Sequence, residues 1–283
     1  MAVLIALKNG AFSYGDRAIF SDLNLEIQSA EVMCILGANG CGKTTLLRCL
    51  NGNIPLKRGT VHLEAVDIAS LHRDAVARKV GFVFQGHDAS FPFSVLEVVR
   101  MGRAPHLRLF AMPSAHDTEI AKEKLDLVGM SHLQDQPYTQ ISGGERQLVL
   151  IARTLAQEPQ VILMDEPTSH LDFRNQTIVL RIVNRLAEKG LAIVMTSHLP
   201  DHALLFSTRV ALMKNGRFLA VGKPADVMTE ASLREIYGIE VRMVTVADPD
   251  KQGTVKLVLP QREPVGEPAD KKSPGGHACV AGA

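Results

Sequence analysis

Residues 37–44 read GANGCGKT, and their types and spacing are those of a loop that wraps an anion. The segment satisfies G-x-x-x-x-G-K-[ST], follows a short apolar run and precedes a helix-like run, which is the context that gives this pattern meaning. Its glycines let backbone N–H groups surround a phosphate, and the following helix N-terminus adds a favourable dipole. We expect Lys43 to neutralise the β- and γ-phosphates of a nucleotide and Thr44 to offer its hydroxyl to Mg²⁺. A chance glycine turn is disfavoured because both flanking elements are present. The candidate cofactor-binding residues of this loop are Gly37, Asn39, Gly40, Cys41, Gly42, Lys43, Thr44 and Thr45.

Two adjacent acids end a second apolar run, residues 161–164. Because side chains alternate along a strand, Asp165 and Glu166 are expected to point in different directions and to do different work. Asp165 is the candidate for holding Mg²⁺, directly or through water, and Glu166 is the candidate for polarising an attacking water. A strand that simply ends in charge is common, but it is less expected beside an intact phosphate loop.

The segment QISGGERQ, residues 140–147, places two glycines in the first turn of a predicted helix. Ser142 three residues ahead of Glu145 is a capping-box pattern, and such a cap is worth about 1 kcal/mol. Gly143 and Gly144 each cost roughly 1 kcal/mol against alanine in a helix interior, so capping alone does not explain them. Hydrogen bonds to a charged group contribute roughly 1.5–3 kcal/mol each, and glycines let a phosphate approach exposed N–H groups. The segment is therefore predicted to be a second phosphate-binding helix start that contacts the γ-phosphate from another subunit.

Apolar runs and turn residues place these motifs on an alternating series of strands and helices. Strands are predicted at residues 4–8, 11–14, 23–28, 32–36, 60–66, 80–85, 161–164 and 191–196. Helices are predicted at residues 43–50, 94–101, 118–128, 145–156 and 176–189. This alternation indicates an α/β core with a mainly parallel sheet.

The remaining segments suggest how the chain is organised. Residues of about 87–157 read as a helical insertion into the α/β core. Residues 241–246 and 254–259 favour a terminal hairpin, so that residues 247–260 end the folded part. The Pro-, Gly- and charge-rich segment 261–283 predicts a disordered tail.

Composition excludes several classes of protein. The 283 residues allow one large domain or a domain with a sub-domain, and the net charge of +1 gives no field for nucleic acid or an anionic membrane. No apolar run approaches the roughly 18 residues that span a bilayer, and the N-terminal run reads as a first strand instead of a signal peptide. Four cysteines without C-x-x-C spacing favour reduced thiols in a cytosolic protein over a zinc site or disulfides.

The order of the motifs resembles that of the ATP-binding-cassette (ABC) family. S-G-G-E-R-Q stands shortly ahead of V-I-L-M-D-E-P-T-S-H-L-D, and the resemblance runs from about residue 4 to residue 246. It implies an ABC ATPase domain over residues 1–246: a P-loop NTPase core with a mainly parallel sheet, an antiparallel β sub-domain and an inserted helical sub-domain. It also implies ATP and Mg²⁺ as cofactors. Two subunits would sandwich two ATP molecules head to tail, each site combining the phosphate loop of one chain with residues 142–145 of the other.

Further residues take roles from the resemblance, position by position. Tyr14 matches the aromatic that stacks on adenine, with a surface strand tyrosine as the alternative. Gln85 matches the glutamine that contacts Mg²⁺ and water and borders the transporter-docking groove. Residues 169–172, SHLD, match the segment that crosses the dimer interface, and His198 matches the histidine that contacts the γ-phosphate. The catalytic set implied by the resemblance is Glu166, His198 and Gln85. The metal-binding set is Thr44, Gln85 and Asp165.

Three features resemble one branch of that family. Glu145 replaces the more frequent glutamine, His170 replaces the more frequent alanine, and residues 94–106 read SVLEVVRMGRAPH. These features are similar to ATPases for iron-siderophore, haem and cobalamin uptake, with molybdate importers close by, and an iron chelate is the leading cargo. The resemblance implies a homodimer on the cytoplasmic face of the inner (plasma) membrane. Its partners would be integral-membrane permeases and, indirectly, an extracytoplasmic substrate-binding protein, with no nucleic acid.

Four alternatives stay open from the sequence. An ABC ATPase without a transport role usually has two cassettes or long coiled-coil insertions, and neither is seen. A P-loop kinase would leave QISGGE and His198 without a purpose. A non-catalytic nucleotide sensor does not need Glu166. An exporter ATPase has the same core motifs, so only the branch resemblance points to import.

Overall fold

The computed structural model describes residues 2–84, 92–108, 110–247 and 253–261, and within them the chain forms a mixed α/β fold. The elements in chain order are β1 (Val3–Tyr14), β2 (Arg17–Gln28), β3 (Val32–Leu36), α1 (Lys43–Leu50), β4 (Arg58–Leu63), β5 (Val66–Asp67), α2 (Arg73–Lys79), β6 (Val80–Val83), α3 (Val95–Arg100), α4 (Ala115–Leu127), α5 (Gly143–Leu155), β7 (Val161–Met164), α6 (Phe173–Glu188), β8 (Ala192–Ser197), α7 (Pro200–Phe206), β9 (Arg209–Lys214), β10 (Arg217–Gly222), α8 (Pro224–Val227), α9 (Glu230–Tyr237), β11 (Val241–Ala247) and β12 (Thr254–Pro260).

A six-stranded sheet forms the centre of the molecule. Its order is β10-β9-β3-β8-β7-β6, and all neighbours are parallel except the hairpin β9–β10. Alternate residues of β3 belong to different hydrophobic cores: Cys34 and Leu36 to one, Met33 and Ile35 to the other. Because both faces of the sheet are covered, its strands are continuous apolar runs, as is usual for parallel sheets. The predicted α/β fold with a mainly parallel sheet is confirmed.

The two cores join the central sheet to different partners. One core contains α1 and the antiparallel sheet β2-β1-β4-β5. The other contains α3, α4, α5 and α6 together with the strand faces that point the opposite way. The phosphate loop and the predicted second phosphate site therefore start from elements on opposite sides of one sheet.

The helices α3, α4 and α5 contact one another and are pinned by a buried arginine. Arg103 lies in a 3₁₀ segment after α3, and its guanidinium donates to Asp117 of α4, 2.9 Å away. It also donates to the carbonyl oxygen of Ala156, which ends α5, and to Glu158, each at 2.7 Å. This clamp fixes the C-terminal end of α5 against its neighbours.

The first two predicted strands are wrong as separate elements. A single strand, β1, covers both, and its pairing register shifts around Asn9, which has φ of 48°. The strand predicted at 60–66 ends earlier, at Leu63, because Glu64 and Ala65 have φ of 48° and 70° and turn the chain into β5. Left-handed backbone of this kind shifts the pairing register in β1 and ends β4.

The structure also contains elements that the sequence analysis did not assign. These are α2, α7, α8, α9 and the hairpin β9–β10. The hairpin had a signal, since Asn215-Gly216 have φ of 48° and 72°, and Asn-Gly is the strongest short hairpin turn. The predicted terminal hairpin is confirmed as β11 paired with β12, whereas residues 262–283 lie outside the described part of the chain.

Candidate active site

The loop between β3 and α1 is fixed by close packing around its glycines. A Cβ on Gly37 would lie 2.4 Å from the carbonyl oxygen of Met213, so no larger residue fits there. Gly42 precedes α1 with φ of 108°, a conformation that glycine adopts without strain. The loop therefore delivers the chain directly into α1, whose first N–H groups have no partner within the helix.

Lys43 is buried, and its ammonium closes the loop from inside. Its Nζ donates to the carbonyl oxygens of Gly37 and Ala38, at 2.8 Å and 3.1 Å. The same Nζ lies 3.7 Å from Oε1 of Glu166. The cation and the candidate catalytic carboxylate thus face each other across the mouth of the loop.

A hydrogen-bonded chain joins the phosphate loop to the paired acids. The Thr44 hydroxyl donates to Oδ1 of Asp165 at 3.1 Å, and the Thr196 hydroxyl donates to the same oxygen at 2.8 Å. Thr196 also accepts the backbone N–H of Glu166 at 2.8 Å. Asp165 and Thr196 are both buried. One threonine at the end of β8 therefore holds both acids, and the sequence analysis did not single it out.

The separation of Asp165 from Glu166 has a different cause from the one expected. β7 ends at Met164, so strand alternation does not govern the two acids. Instead Glu166 has φ of 44°, a left-handed conformation that is unfavourable for a residue with a side chain and recurs at functional sites. Its Oε2 accepts the Ser169 hydroxyl at 2.9 Å and lies 3.4 Å from Nδ1 of His198.

A cavity of about 330 Å³ opens in front of the loop and contains most of the predicted loop residues. The described residues that line it are Ile19, Asn39, Gly40, Gly42, Lys43, Thr44, Thr45 and Glu166. Cys41 lines a neighbouring cavity with Arg17 and Ala18, and burial raises the pKa of its thiol. Tyr14 is close in sequence to Arg17 and Ala18 but does not line either cavity. The residue is 49% exposed, and its ring contacts that of Phe12 edge-on, with centroids 4.8 Å apart.

The helix start at residues 142–145 has the predicted cap. The N–H of Ser142 donates to the Glu145 carboxylate at 2.7 Å, and the N–H of Glu145 donates to the Ser142 hydroxyl at 3.4 Å. Hydrogen bonds to the Glu145 carboxylate from the Ser142 side chain, and then from the Ser142 backbone N–H, lower the pKa of Glu145. A Cβ on Gly144 would lie 2.4 Å from the side chain of Asn175 on α6, whereas a Cβ on Gly143 would meet nothing within 4 Å. Packing against α6 thus accounts for a glycine at position 144. At position 143 no neighbouring atom accounts for the absence of a side chain.

Comparisons with known proteins agree with this arrangement. A family model described as ABC transporter matches residues 20–169. The chain belongs to the ABC transporter family. The ATP-binding transport subunit and the ATP-hydrolysing enzyme predicted from the motifs are confirmed by this membership.

Relatives of this ABC ATPase include importer subunits from other organisms. It is 35% identical to the hemin import ATP-binding protein HmuV of Thermobifida fusca, over 92% of this chain and 89% of that protein. It is 34% identical to the molybdate import ATP-binding protein MolC of Haemophilus influenzae, over 82% and 87%. A solved structure described as an inward-facing conformation of a transporter assigned to the metal-chelate type matches with a TM-score of 0.82 and 31% identity. That match covers 93% of this chain and 98% of the other. The branch resemblance is confirmed.

Apart from the cavity in front of the loop, the described residues form a larger groove of about 390 Å³. It lies between α2, β6 and the C-terminal half of α5. Apolar side chains such as Val76, Phe82, Phe84 and Leu150 line it, and Gln157 contributes a buried Oε1 that no described residue hydrogen-bonds. Gln85, which the resemblance places at the border of the transporter-docking groove, lies outside the described residues.

None of the helices in the described residues has both the length and the apolar character to cross a bilayer. In the same residues, no group of three or more His, Cys, Asp or Glu side chains is arranged to hold a metal ion by itself.

Proposed function

We propose that two copies of this chain bind ATP between them and use its hydrolysis to power uptake of a metal chelate through partner permeases. The observation that carries this proposal is the hydrogen-bonded chain from Thr44 through Asp165 and Thr196 to Glu166. It ties a phosphate loop to a second, separately oriented acid. A protein that only sensed a nucleotide would not need that second acid.

The phosphate loop would bind the triphosphate by charge and by backbone donors. The first N–H groups of α1 have no helical partner, and the helix dipole favours an anion there. Lys43 has three donors, of which two already bond loop carbonyls. The ammonium is thereby held at the loop mouth, where it would meet the β- and γ-phosphates.

Thr44 and Asp165 form a donor set that fits Mg²⁺. Both offer oxygen atoms, which this hard cation prefers, and Asp165 is oriented by Thr196. Mg²⁺ bound there would neutralise charge on the β- and γ-phosphate oxygens. We assign Gln85 as a further contact to Mg²⁺ and water from the sequence resemblance alone.

Glu166 would orient the attacking water. Ser169 steers one carboxylate oxygen and Lys43 lies near the other, so the carboxylate has few rotamers open to it. His198, 3.4 Å from Oε2 of Glu166, would contact the γ-phosphate on the far side of that water. Positioning and electrostatic stabilisation account for most of phosphoryl-transfer catalysis, and these groups supply both.

The second copy would complete each site. Residues 142–145 are not among the described residues that line the nucleotide cavity of their own chain. The exposed backbone at Gly143 and the cap formed by Ser142 and Glu145 suit a phosphate held by another chain. Residues 169–172, of which His170 has φ of 61°, would cross the same interface. We assign Tyr14 to the adenine ring by resemblance, and its exposed face supports that role.

The groove between α2 and α5 would receive the permease. It combines an apolar floor with the unpaired Gln157 Oε1, which suits a partner segment that carries apolar side chains and a hydrogen-bond donor. Bound to that permease, the chain would lie on the cytoplasmic face of the plasma membrane. Delivery of cargo to that permease would fall to an extracytoplasmic binding protein.

The cargo we favour is a metal chelate of the iron-siderophore, haem or cobalamin type. The hemin importer relative and the metal-chelate transporter structure support this class. The molybdate importer relative favours an oxyanion as the second candidate. Uptake of labelled hemin, ferric siderophore and molybdate should be measured in cells that lack this gene. The ATP-dependent accumulation of the true cargo alone should fall, which distinguishes a metal chelate from an oxyanion.

Glu166→Gln tests the proposed mechanism. The variant should bind ATP, lose turnover and accumulate as a closed dimer in light scattering, because the charge that orients water is gone while the phosphate contacts remain. Glu188→Gln is a matched control, since Glu188 is an exposed acid at the end of α6. Normal turnover by Glu166→Gln would remove Glu166 from its role. Lys43→Ala should instead weaken ATP binding itself, so unchanged affinity in a titration would contradict its assignment.

A further inference from the structure

The segment that carries His198 has no cap of its own. It follows β8 and enters α7, whose N-cap residue is Leu199 and whose first residue is Pro200. No side chain caps this helix, and it is only seven residues long. Short helices are marginal by themselves, so their position depends on contacts made elsewhere in the fold. Those contacts then decide where the His198 imidazole stands.

One such contact comes from α9, near the end of the chain. The Tyr237 hydroxyl donates to the backbone carbonyl oxygen of His198 at 3.0 Å. Burial raises the pKa of this phenol, so the hydroxyl stays protonated as a donor. α9 is itself tied down, because its Glu230 accepts the N–H of Met243 in the terminal hairpin at 2.8 Å. The hairpin also reaches α7 directly, where Asp201 accepts the N–H of Val258 at 3.0 Å.

The other contact comes from the loop that carries Glu166. Nδ1 of His202, on α7, lies 3.3 Å from the hydroxyl of Thr168. Thr168 is buried two residues after Glu166 and one before Ser169, which hydrogen-bonds the Glu166 carboxylate. Burial lowers the pKa of His202, so its ring is neutral near pH 7 and can share a hydrogen bond with a hydroxyl.

We propose that Tyr237 and His202 are positioning residues, which hold the backbone at residues 198–202 so that the His198 imidazole stands against Glu166. Tyr237 on α9 holds the carbonyl group of His198 at the start of the segment, and His202 holds the first turn of α7 against the loop that carries Glu166. Nδ1 of His198 and Oε2 of Glu166 are 3.4 Å apart, and a shift of about 1 Å at a reacting group can cost up to about a hundredfold in rate. This inference rests on the proposed function of His198.

Tyr237→Phe removes the hydroxyl and little else, which makes it the sharpest test. ATP hydrolysis by the purified full-length chain should fall about five- to tenfold in kcat, with KM for ATP within twofold of wild type. Tyr138→Phe is the matched control, because Tyr138 is buried, whereas Tyr237 is partly buried, and the Tyr138 hydroxyl has no hydrogen-bond partner in the described ranges. A Tyr237→Phe enzyme with the kcat of the Tyr138→Phe control would overturn the inference.

A double-mutant cycle separates positioning from general structural support. In a His198→Ala background, Tyr237→Phe should cause no further loss of kcat, because the group that it positions is absent. An equal fold-loss in both backgrounds would refute positioning, whatever the change in melting temperature. If His198→Ala alone keeps the wild-type kcat, the proposed function of His198 fails, and the inference with it.

His202 provides an independent arm should Tyr237→Phe fail to fold. His202→Asn keeps a polar atom close to the place of Nδ1, whereas His202→Leu removes it. The asparagine variant should retain kcat within about twofold, and the leucine variant should lose five- to tenfold with KM unchanged. Equal kcat for the two variants would contradict the role of the Thr168 contact.

Discussion

Thr196→Val removes a single hydroxyl that serves both acids of the active site. The hydroxyl donates to Asp165 and accepts the backbone N–H of Glu166, each at 2.8 Å. Valine keeps nearly the same shape, so the surrounding sheet has no cavity to close. Asp165 retains the Thr44 hydroxyl, but the hydrogen bond from the N–H of Glu166 to the Thr196 hydroxyl is lost.

The cost follows from these two bonds. The hydrogen bond from Thr196 to the Asp165 carboxylate involves a charged group and contributes roughly 1.5–3 kcal/mol, and the neutral bond from the Glu166 N–H contributes roughly 0.5–1.5 kcal/mol. Together they predict a loss of about 2–4.5 kcal/mol in the free energy of unfolding, with a fall in melting temperature on the order of 10 °C. Glu166 also loses a hydrogen bond that holds its backbone in place, so kcat should fall about ten- to hundredfold.

Urea unfolding and steady-state ATP hydrolysis measure the two effects separately. Thr208→Val is the control, because the Thr208 hydroxyl also accepts one backbone N–H and donates to one carbonyl, both of Val32, away from the acids. That variant should lose some stability and keep its kcat. If Thr196→Val showed a kcat within twofold of the Thr208→Val control, Thr196 would not be what orients Asp165 and Glu166.

Two other features of the structure yield predictions. Gly144→Ala should lower the melting temperature, because its Cβ would lie 2.4 Å from a side chain of α6, whereas Gly143→Ala should melt normally but lose ATP turnover. Thermal unfolding and ATPase assays distinguish them, and equal melting would contradict this reading. Arg103→Met should destabilise the fold by about 3–5 kcal/mol in urea, since it removes the buried cation that pairs with Asp117. Hydrogen bonds from Ser114, then Arg103, lower the pKa of Asp117. The ionised Asp117 carboxylate therefore contributes its full stabilisation of the fold above about pH 4, and this contribution is lost on further acidification. The free energy of unfolding of Asp117→Asn should lack this dependence on pH.

The parts of the site that are contiguous in the chain were predictable from the sequence. The phosphate loop combines strand, glycines, Lys43 and the start of α1 within a dozen residues, so a local pattern contains the whole argument. The acids at 165–166 end an apolar run, which is equally local. The parallel sheet followed from continuous apolar strands, whose two faces are both buried here.

Thr196 was missed because its role depends on strand register. Met164 at the end of β7 pairs with Met195 on β8, so the residues that follow each of them become neighbours. Local pattern reveals that both strands exist but not how they align, and a threonine ending an apolar strand has many reasons to be there. The same limit applies to Tyr237, which contacts His198 across 39 positions of sequence.

Gly143 and Gly144 cannot be distinguished by helix propensity. If each costs the helix roughly 1 kcal/mol, a ligand has roughly 2 kcal/mol of destabilisation to offset. The structure divides them, because a Cβ on Gly144 would lie 2.4 Å from the side chain of Asn175 on α6, while Gly143 has open space around it. Only about 1 kcal/mol then lacks a structural reason. A single hydrogen bond from this helix start to a phosphate oxygen, worth roughly 1.5–3 kcal/mol, is enough to offset it.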